Sequence, residues 1–250
     1  MIEAFLPDAV SLYSALALVA ASFFTSGLTA AAGVGGGLMM LALMSYLIPI
    51  AVIIPVHGLV QLGSNASRTY IQREHVSWPT VLYFALGGIF GAGLGILFVS
   101  EISETLFQLL MGIFIGTIVW IKIPALKNAG KGLLATCGLV TTFISMFAGA
   151  TGPLVAVFLN NLFDKHRQMV ATHGAMMTIQ HSVKIVAFGF AGFVFWEWLP
   201  LIGAIILMGI VGTKVGTFMM DYVPEKALKL TFKIVITAIA IDLIRRGIFS

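Results

Sequence analysis

The chain has 250 residues, of which 59% are hydrophobic and only 10% charged, with a mean hydropathy of +1.04; such values exclude an ordinary soluble domain. No polar block is long enough to hold a catalytic or regulatory domain outside a bilayer. The net charge of +4 comes mostly from Lys and Arg near helix ends, so it points to membrane orientation rather than to nucleic acid.

In chain order, the acidic start Met1 to Asp8 shows no secretory signal and no separate cleavage site. An apolar hairpin follows: Ala17 to Ala32, a break at Gly33-Val34-Gly35-Gly36-Gly37, then Leu38 to Ile54. Four glycines in five residues hold a regular helix poorly, at about 1 kcal/mol each relative to alanine, although glycine also permits close packing of membrane helices. A polar-striped helix is predicted over Val56 to Ile71, then two apolar spans over Leu82 to Val99 and Leu106 to Ile121. The linker Lys122 to Lys131 carries three lysines.

The order then repeats. Leu133 to Phe147, a break at Ala148-Gly149-Ala150-Thr151-Gly152-Pro153 and Leu154 to Phe163 form a second hairpin. Met169 to Gly189 is a second striped helix, and Leu199 to Met219 and Leu230 to Ile241 close the chain. Leu154 to Phe163 is about half of the roughly 20 residues that a crossing needs. Each hairpin is therefore read as broken or re-entrant, which is tolerated only where the backbone is buried or lines a cavity.

The repetition holds residue by residue. At the offset from His57 to His173, His57-Gly58 meets His173-Gly174, Gly36 meets Gly152, Leu38 meets Leu154 and Arg68 meets Lys184; a slightly longer offset pairs Gly88-Ile89-x-Gly91-x-x-x-Gly95 with Gly209-Ile210-x-Gly212-x-x-x-Gly216, and Glu104 with Glu225. The predicted fold is an all-α polytopic membrane protein of two inverted repeats. Each repeat is a broken hairpin plus three transmembrane helices: residues 1–121, a basic linker 122–131, and residues 132–250. Inversion follows from charge. Arg73 with His75, the linker, and Lys165 with Arg167 belong on the cytoplasmic side, while Glu101, Glu104 and the acidic N-terminus belong outside. Both termini are then periplasmic, and Arg245-Arg246 stands against the rule.

The striped helices carry the candidate site. His57, Gln61, Ser64, Asn65 and Arg68 share one helix face; His173, Gln180, His181 and Lys184 share the other, with Met177 in place of the glutamine. Polar groups at such depth cost about 2.5 to 3.5 kcal/mol when charged and face a bundle interior or a wet cavity. The stripes hold two cations, histidines and amides but no carboxylate, and helix N-termini at the glycine breaks add N–H donors. The substrate is therefore read as a small anion. It would be held by Gly35, Gly36, Gly37, His57, Gln61, Asn65, Arg68, Thr151, Gly152, His173, Gln180, His181 and Lys184. With no buried acid to relay protons, His57, His173 and His181 are the candidates for proton coupling. Lys214, opposite Gly93, either snorkels or lines the path. Cys137 is alone, so neither a disulfide nor a cysteine metal cluster is expected, and no metal or cofactor is called for. Ser64 lies too far along its helix from His57 to make a nucleophile–base pair, so no enzyme is expected. The partners are the anion and the bilayer, with homo-oligomerisation left open.

The glycine motif Gly27-x-x-x-x-x-Gly33-x-Gly35-Gly36-Gly37-Leu38, its degenerate copy Gly149-Ala150-Thr151-Gly152-Pro153 and the duplication resemble the sulfite exporter TauE/SafE family, also called the toluene-sulfonate uptake permease family. The resemblance implies a bacterial inner-membrane transporter of sulfite, sulfonates or other small organic anions. The reading is a secondary transporter, taken as an exporter, working by alternating access. The alternatives are an anion channel and an uptake permease for organosulfonates or small carboxylates.

Overall fold

The computed structural model describes residues 6–33, 35–99, 103–118, 120, 130–160, 162–219, 222 and 225–249. Among them the protein is all-α, with ten helices: α1 (Leu12–Ala32), α2 (Gly36–Leu47), α3 (Ile53–Ile71), α4 (Trp78–Val99), α5 (Glu104–Ile118), α6 (Lys131–Ala148), α7 (Gly152–Asn160), α8 (His166–Phe190), α9 (Leu199–Met219) and α10 (Glu225–Phe249). By length and composition five helical stretches can cross a membrane: Leu12–Ala31, Ile50–Ile71, Trp78–Val99, Lys131–Ala148 and Trp196–Met219. At 25 residues α8 is also long enough, but its polar stripe dilutes its apolar character.

The hairpins break where the glycines stand. Gly33 ends α1 at φ 82° and Gly149 ends α6 at φ 79°, a left-handed backbone that favours glycine. Each returns its N–H to the carbonyl four residues earlier, Gly33 to Thr29 and Gly149 to Ser145. The arms that follow, 12 residues in α2 and 9 in α7, reach only about 18 and 13 Å, short of the roughly 30 Å hydrocarbon core. Both begin at the protein's interior. The second arm of the first hairpin ends at Leu47, before the predicted Ile54, because Pro49 and a one-turn segment at Ile50–Val52 redirect the chain into α3.

The glycines of α4 and α9 serve close packing. A methyl at Gly91 would strike the Leu139 carbonyl of α6, and one at Gly212 would strike the Phe23 carbonyl of α1; Gly95 meets Phe143 and Met146 as Gly216 meets Gly27. Small residues there let backbones approach. Both pairs run parallel. Ser22 on α1 adds a buried hydrogen bond to the Ile205 carbonyl of α9, at 2.8 Å. The first helix of each half thus packs on the fourth helix of the other.

The equivalent helices of the two halves also meet each other, running antiparallel. On α5 and α10, Gly112 lies against Ile244, Gly116 against Ala240, and Gly247 against Leu109. On α3 and α8, Gly58 faces Lys184 and Gly174 faces Arg68.

Charges sort to two ends. The turn Arg73–His75 and the approach to α8 at Lys165 and His166 are exposed and lie together, since Ser77 donates its N–H to Thr172 of α8. At the other end Asp8 and Glu197 border a recess of about 800 Å³ with Leu6, Pro7, Trp196 and Trp198. The discordant Arg245-Arg246 pair is not bare: both guanidinium groups reach Asp242 at 2.8 Å, which also accepts from Tyr46. Lys131, expected to close the linker, opens α6 instead. Val34, Glu101, Ile121, Lys122 and Lys127 lie outside the described residues.

Candidate functional site

The site is built on the crossing of α3 and α8. Both helices turn their polar stripe inward because the outward faces meet apolar neighbours, and His57, Asn65, Arg68, His173, Gln180, His181 and Lys184 are all buried. Thr69 and Thr178 bridge the crossing through their hydroxyls at 3.2 Å.

The duplicated His-Gly pair acquires a physical reason here. Each histidine ties its helix to the first turn of a broken arm: His57 Nε2 donates to the Gly37 carbonyl at 2.8 Å, and His173 Nε2 to the Gly152 carbonyl at 3.0 Å. Those assignments place the proton on Nε2 and leave Nδ1 as the acceptor. Each glycine makes room for a cation of the opposite half. A Cβ at Gly174 would lie 2.9 Å from Arg68 Nε, and one at Gly58 would lie 3.2 Å from Lys184 Cε.

The cations themselves sit on equivalent carbonyls. Arg68 Nη1 donates to Thr29 O at 3.3 Å, while Lys184 Nζ donates to Gly149 O at 2.8 Å and Ser145 O at 3.5 Å. Thr29 and Ser145 lie in the last turns of α1 and α6, where the helix dipole favours positive charge and each carbonyl accepts a second bond beside that from Gly33 or Gly149 N–H. Arg68 Nη2 also donates to Asn65 Oδ1 at 2.6 Å and meets His173 Nδ1 at 3.2 Å. Arg68 is 2% exposed and Lys184 0%. Neither has a carboxylate partner among the described residues; each donates to a backbone carbonyl at the end of a broken helix.

Between these layers lies a small, largely enclosed cavity of about 30 Å³, room for about two waters or one compact anion. It is lined by Gly35, Gly37, His57, Gln61, Asn65, Gly152, His173 and His181 from the sequence-predicted set, together with Thr29, Leu38, Ala150, Pro153 and Met177. The beginnings of α2 and α7 both face it, bringing free helix N-termini. No Asp or Glu lines it. Gly37 leaves room for Gln61, whose Oε1 would sit 2.8 Å from an added Cβ.

Five predicted residues stand behind the lining. Gly36 presses against the Thr25 carbonyl of α1. Thr151 accepts from Gln180 Nε2 at 2.8 Å, which fixes both. Arg68 and Lys184 are turned to their carbonyls. Lys214 lies on the exposed side of α9, away from the cavity. Sequence reasoning missed Met177 and Thr29 as lining residues, although their registers opposite Gln61 and Ser145 were legible; Leu38, Ala150 and Pro153 carry no polar repeat that could have marked them.

Among the described residues no group of three His, Cys, Asp or Glu is placed to hold a metal ion. No curated protein and no solved structure matches the chain. A family model described as "Sulfite exporter TauE/SafE" matches residues 18–243. Spanning both breaks, both stripes and the cavity between them, that match places the chain in the sulfite exporter TauE/SafE family of membrane transporters.

Proposed function

We propose that this protein is a secondary transporter of a small sulfur-containing anion such as sulfite or a sulfonate. One observation carries the reading: two broken-helix N-termini converge on one small cavity that has imidazole and amide walls and no carboxylate. Helix N-termini favour negative charge, and the buried Arg68 guanidinium keeps the surrounding potential positive. The choice of a sulfur oxyanion follows the family.

Alternating access follows from inverted repeats. The antiparallel crossing of α3 with α8 and of α5 with α10 supports that reading, with one repeat in residues 1–121 and the other in 132–250. In this scheme the cavity is the occluded midpoint, and the arms α2 and α7 open it in turn to the two sides. The protein lies in a bacterial inner membrane with both termini periplasmic, the basic Arg73–His75 end facing the cytoplasm.

The test is flux into and out of proteoliposomes loaded with sulfite, sulfate, thiosulfate, methanesulfonate or a small carboxylate. The reading requires saturable movement of at least one sulfur anion, at turnover far below channel rates. Preference for carboxylates alone removes the sulfur assignment; unsaturable, channel-rate conduction removes the transporter.

A further inference from the structure

The two cation pockets are related by the repeat yet differ in what a proton can do there. In the first, Arg68 and Asn65 of α3 meet His173 of α8; in the second, Lys184 and His181 of α8 meet His57 of α3. Asn65 and His181 occupy the same register, as do Arg68 and Lys184.

The first pocket has its polar atoms matched almost throughout. Asn65 Oδ1 and His173 Nδ1 both face Arg68 Nη2, Asn65 Nδ2 donates to the Gln61 carbonyl at 2.7 Å, and His173 Nε2 is bonded to Gly152; only Arg68 Nε, above Gly174, lacks a partner. A proton on His173 Nδ1 would point at a guanidinium donor, and the guanidinium itself does not give one up.

The second pocket is the opposite case. His57 Nδ1 and His181 Nδ1 are buried without a hydrogen-bond partner, and the two rings lie edge to face with centroids 5.9 Å apart. Lys184, one turn beyond His181, holds only carbonyls. Here two basic nitrogens are open and the cation is a titratable amine. The groups facing this cluster are few. α6 offers Ser145 and Gly149 carbonyls, with Cys137 and Lys131 toward its other end; α3 offers His57 and, through His173, Arg68. The described parts of α2, α4 and α7 turn no ionisable side chain toward it.

We propose that Lys184, His181 and His57 form the proton-carrying cluster of the transport cycle, while Arg68, Asn65 and His173 form its fixed counterpart; this rests on the transporter reading above. One proton, taken from the side to which the cavity is open, attaches to Nδ1 of His57 or His181 or to the Lys184 amine when an anion enters. It leaves to the other side when the anion has gone. Anion and proton favour each other's binding by linkage, and His173 takes no part in the proton step.

The experiment is calorimetric titration of the purified full-length protein with sulfate, thiosulfate, methanesulfonate and sulfite, in two buffers of different ionisation heat. It reads protons taken up per anion bound, a ratio that does not depend on affinity; the protonation of sulfite itself is subtracted. Wild type should take up about one proton per anion near neutral pH. The His181→Asn/Lys184→Arg variant, which copies the first pocket into the second, should take up none from whatever anion it binds. If that pair does not fold, Lys184→Arg with wild-type His181 and, separately, His57→Gln should each lower the ratio by at least half. An unchanged ratio in these variants overturns the proposal, as does a ratio that collapses in His173→Gln. Wild type that binds an anion without taking up a proton overturns the proposal while leaving the transporter reading intact. Wild type that binds none of these anions removes both.

Discussion

The Arg68 pocket and the Lys184 pocket descend from one repeated pattern, occupy equivalent places against α1 and α6, and have diverged in chemistry. Both cations rest on a carbonyl at the end of a broken helix, at 3.3 Å from Thr29 O and 3.5 Å from Ser145 O. That shared contact is the structural part: it stabilises a helix that stops inside the protein. What differs is the company. Asn65 fills the valence of Arg68, whereas His181 leaves an open nitrogen beside Lys184. A duplicated frame thus lets one copy hold the architecture while the other is free to titrate.

The comparison breaks most visibly under removal of the charges. Arg68→Met strands Asn65 Oδ1 and His173 Nδ1, while Lys184→Met strands the Gly149 carbonyl alone, at about 1–3 kcal/mol for each buried group left unmet; Thr29 O and Ser145 O keep their bonds from Gly33 and Gly149 N–H. Thermal unfolding in detergent should therefore give a larger drop in Tm for Arg68→Met. Equal drops would mean that the two cations do the same job.

The glycines give the next effect. Gly174→Ala puts a methyl 2.9 Å from Arg68 Nε, whose planar group is held at both ends, while Gly58→Ala meets the Lys184 stem at 3.2 Å, which can shift. Overpacking at Gly174 should cost about 1–3 kcal/mol and at Gly58 less. The order of the two Tm values checks this, and reversal would put the strain on the lysine side.

A pH series then sharpens the contrast without unfolding anything. Between about pH 5 and 8, the imidazole range, the pH dependence of flux should fall by at least half in His57→Gln and in His181→Asn. His173→Gln should keep the wild-type profile and change only the apparent affinity. Matching profiles in all three variants would return the coupling role to all three histidines or to none.

The smallest effect is reserved for a charge outside both pockets. Asp242 pairs with Arg245 and Arg246 on a surface-exposed part of α10, and exposed ion pairs contribute little. Asp242→Asn should leave Tm unchanged, in contrast to either buried cation.

The membrane class, both breaks and both stripes were legible in the sequence because they rest on local signals: glycine clusters, apolar length and helical spacing. The register of His57 with His173 and of Arg68 with Lys184 also survived duplication in plain view. The targets of those side chains were not legible. A stripe says that Arg68 faces inward, but not whether it meets a ligand or the Thr29 carbonyl; that depends on where α1 ends in space. For the same reason Gln180 reads as a site residue while the structure binds it to Thr151. Gly91 and Gly212 repeat in register, yet only the structure shows that they seat α6 and α1 rather than a ligand.

The exchanged packing of first and fourth helices also sets an order of assembly. α4 and α6 are near neighbours in the chain, so their glycine-lined joint can close soon after α6 is made. α1 ends at Ala32, but its partner α9 begins only at Leu199, which at about 5–20 residues per second leaves α1 waiting on the order of ten to thirty seconds. During that interval Ser22, Ser26 and Gly27 have no α9 beside them, and the face that will carry Gly212 is open to lipid or to the insertion machinery. Chains halted before Leu199 should therefore be cleared by membrane proteases, with α6 already joined to α4 and the α9-facing side of α1 still uncovered.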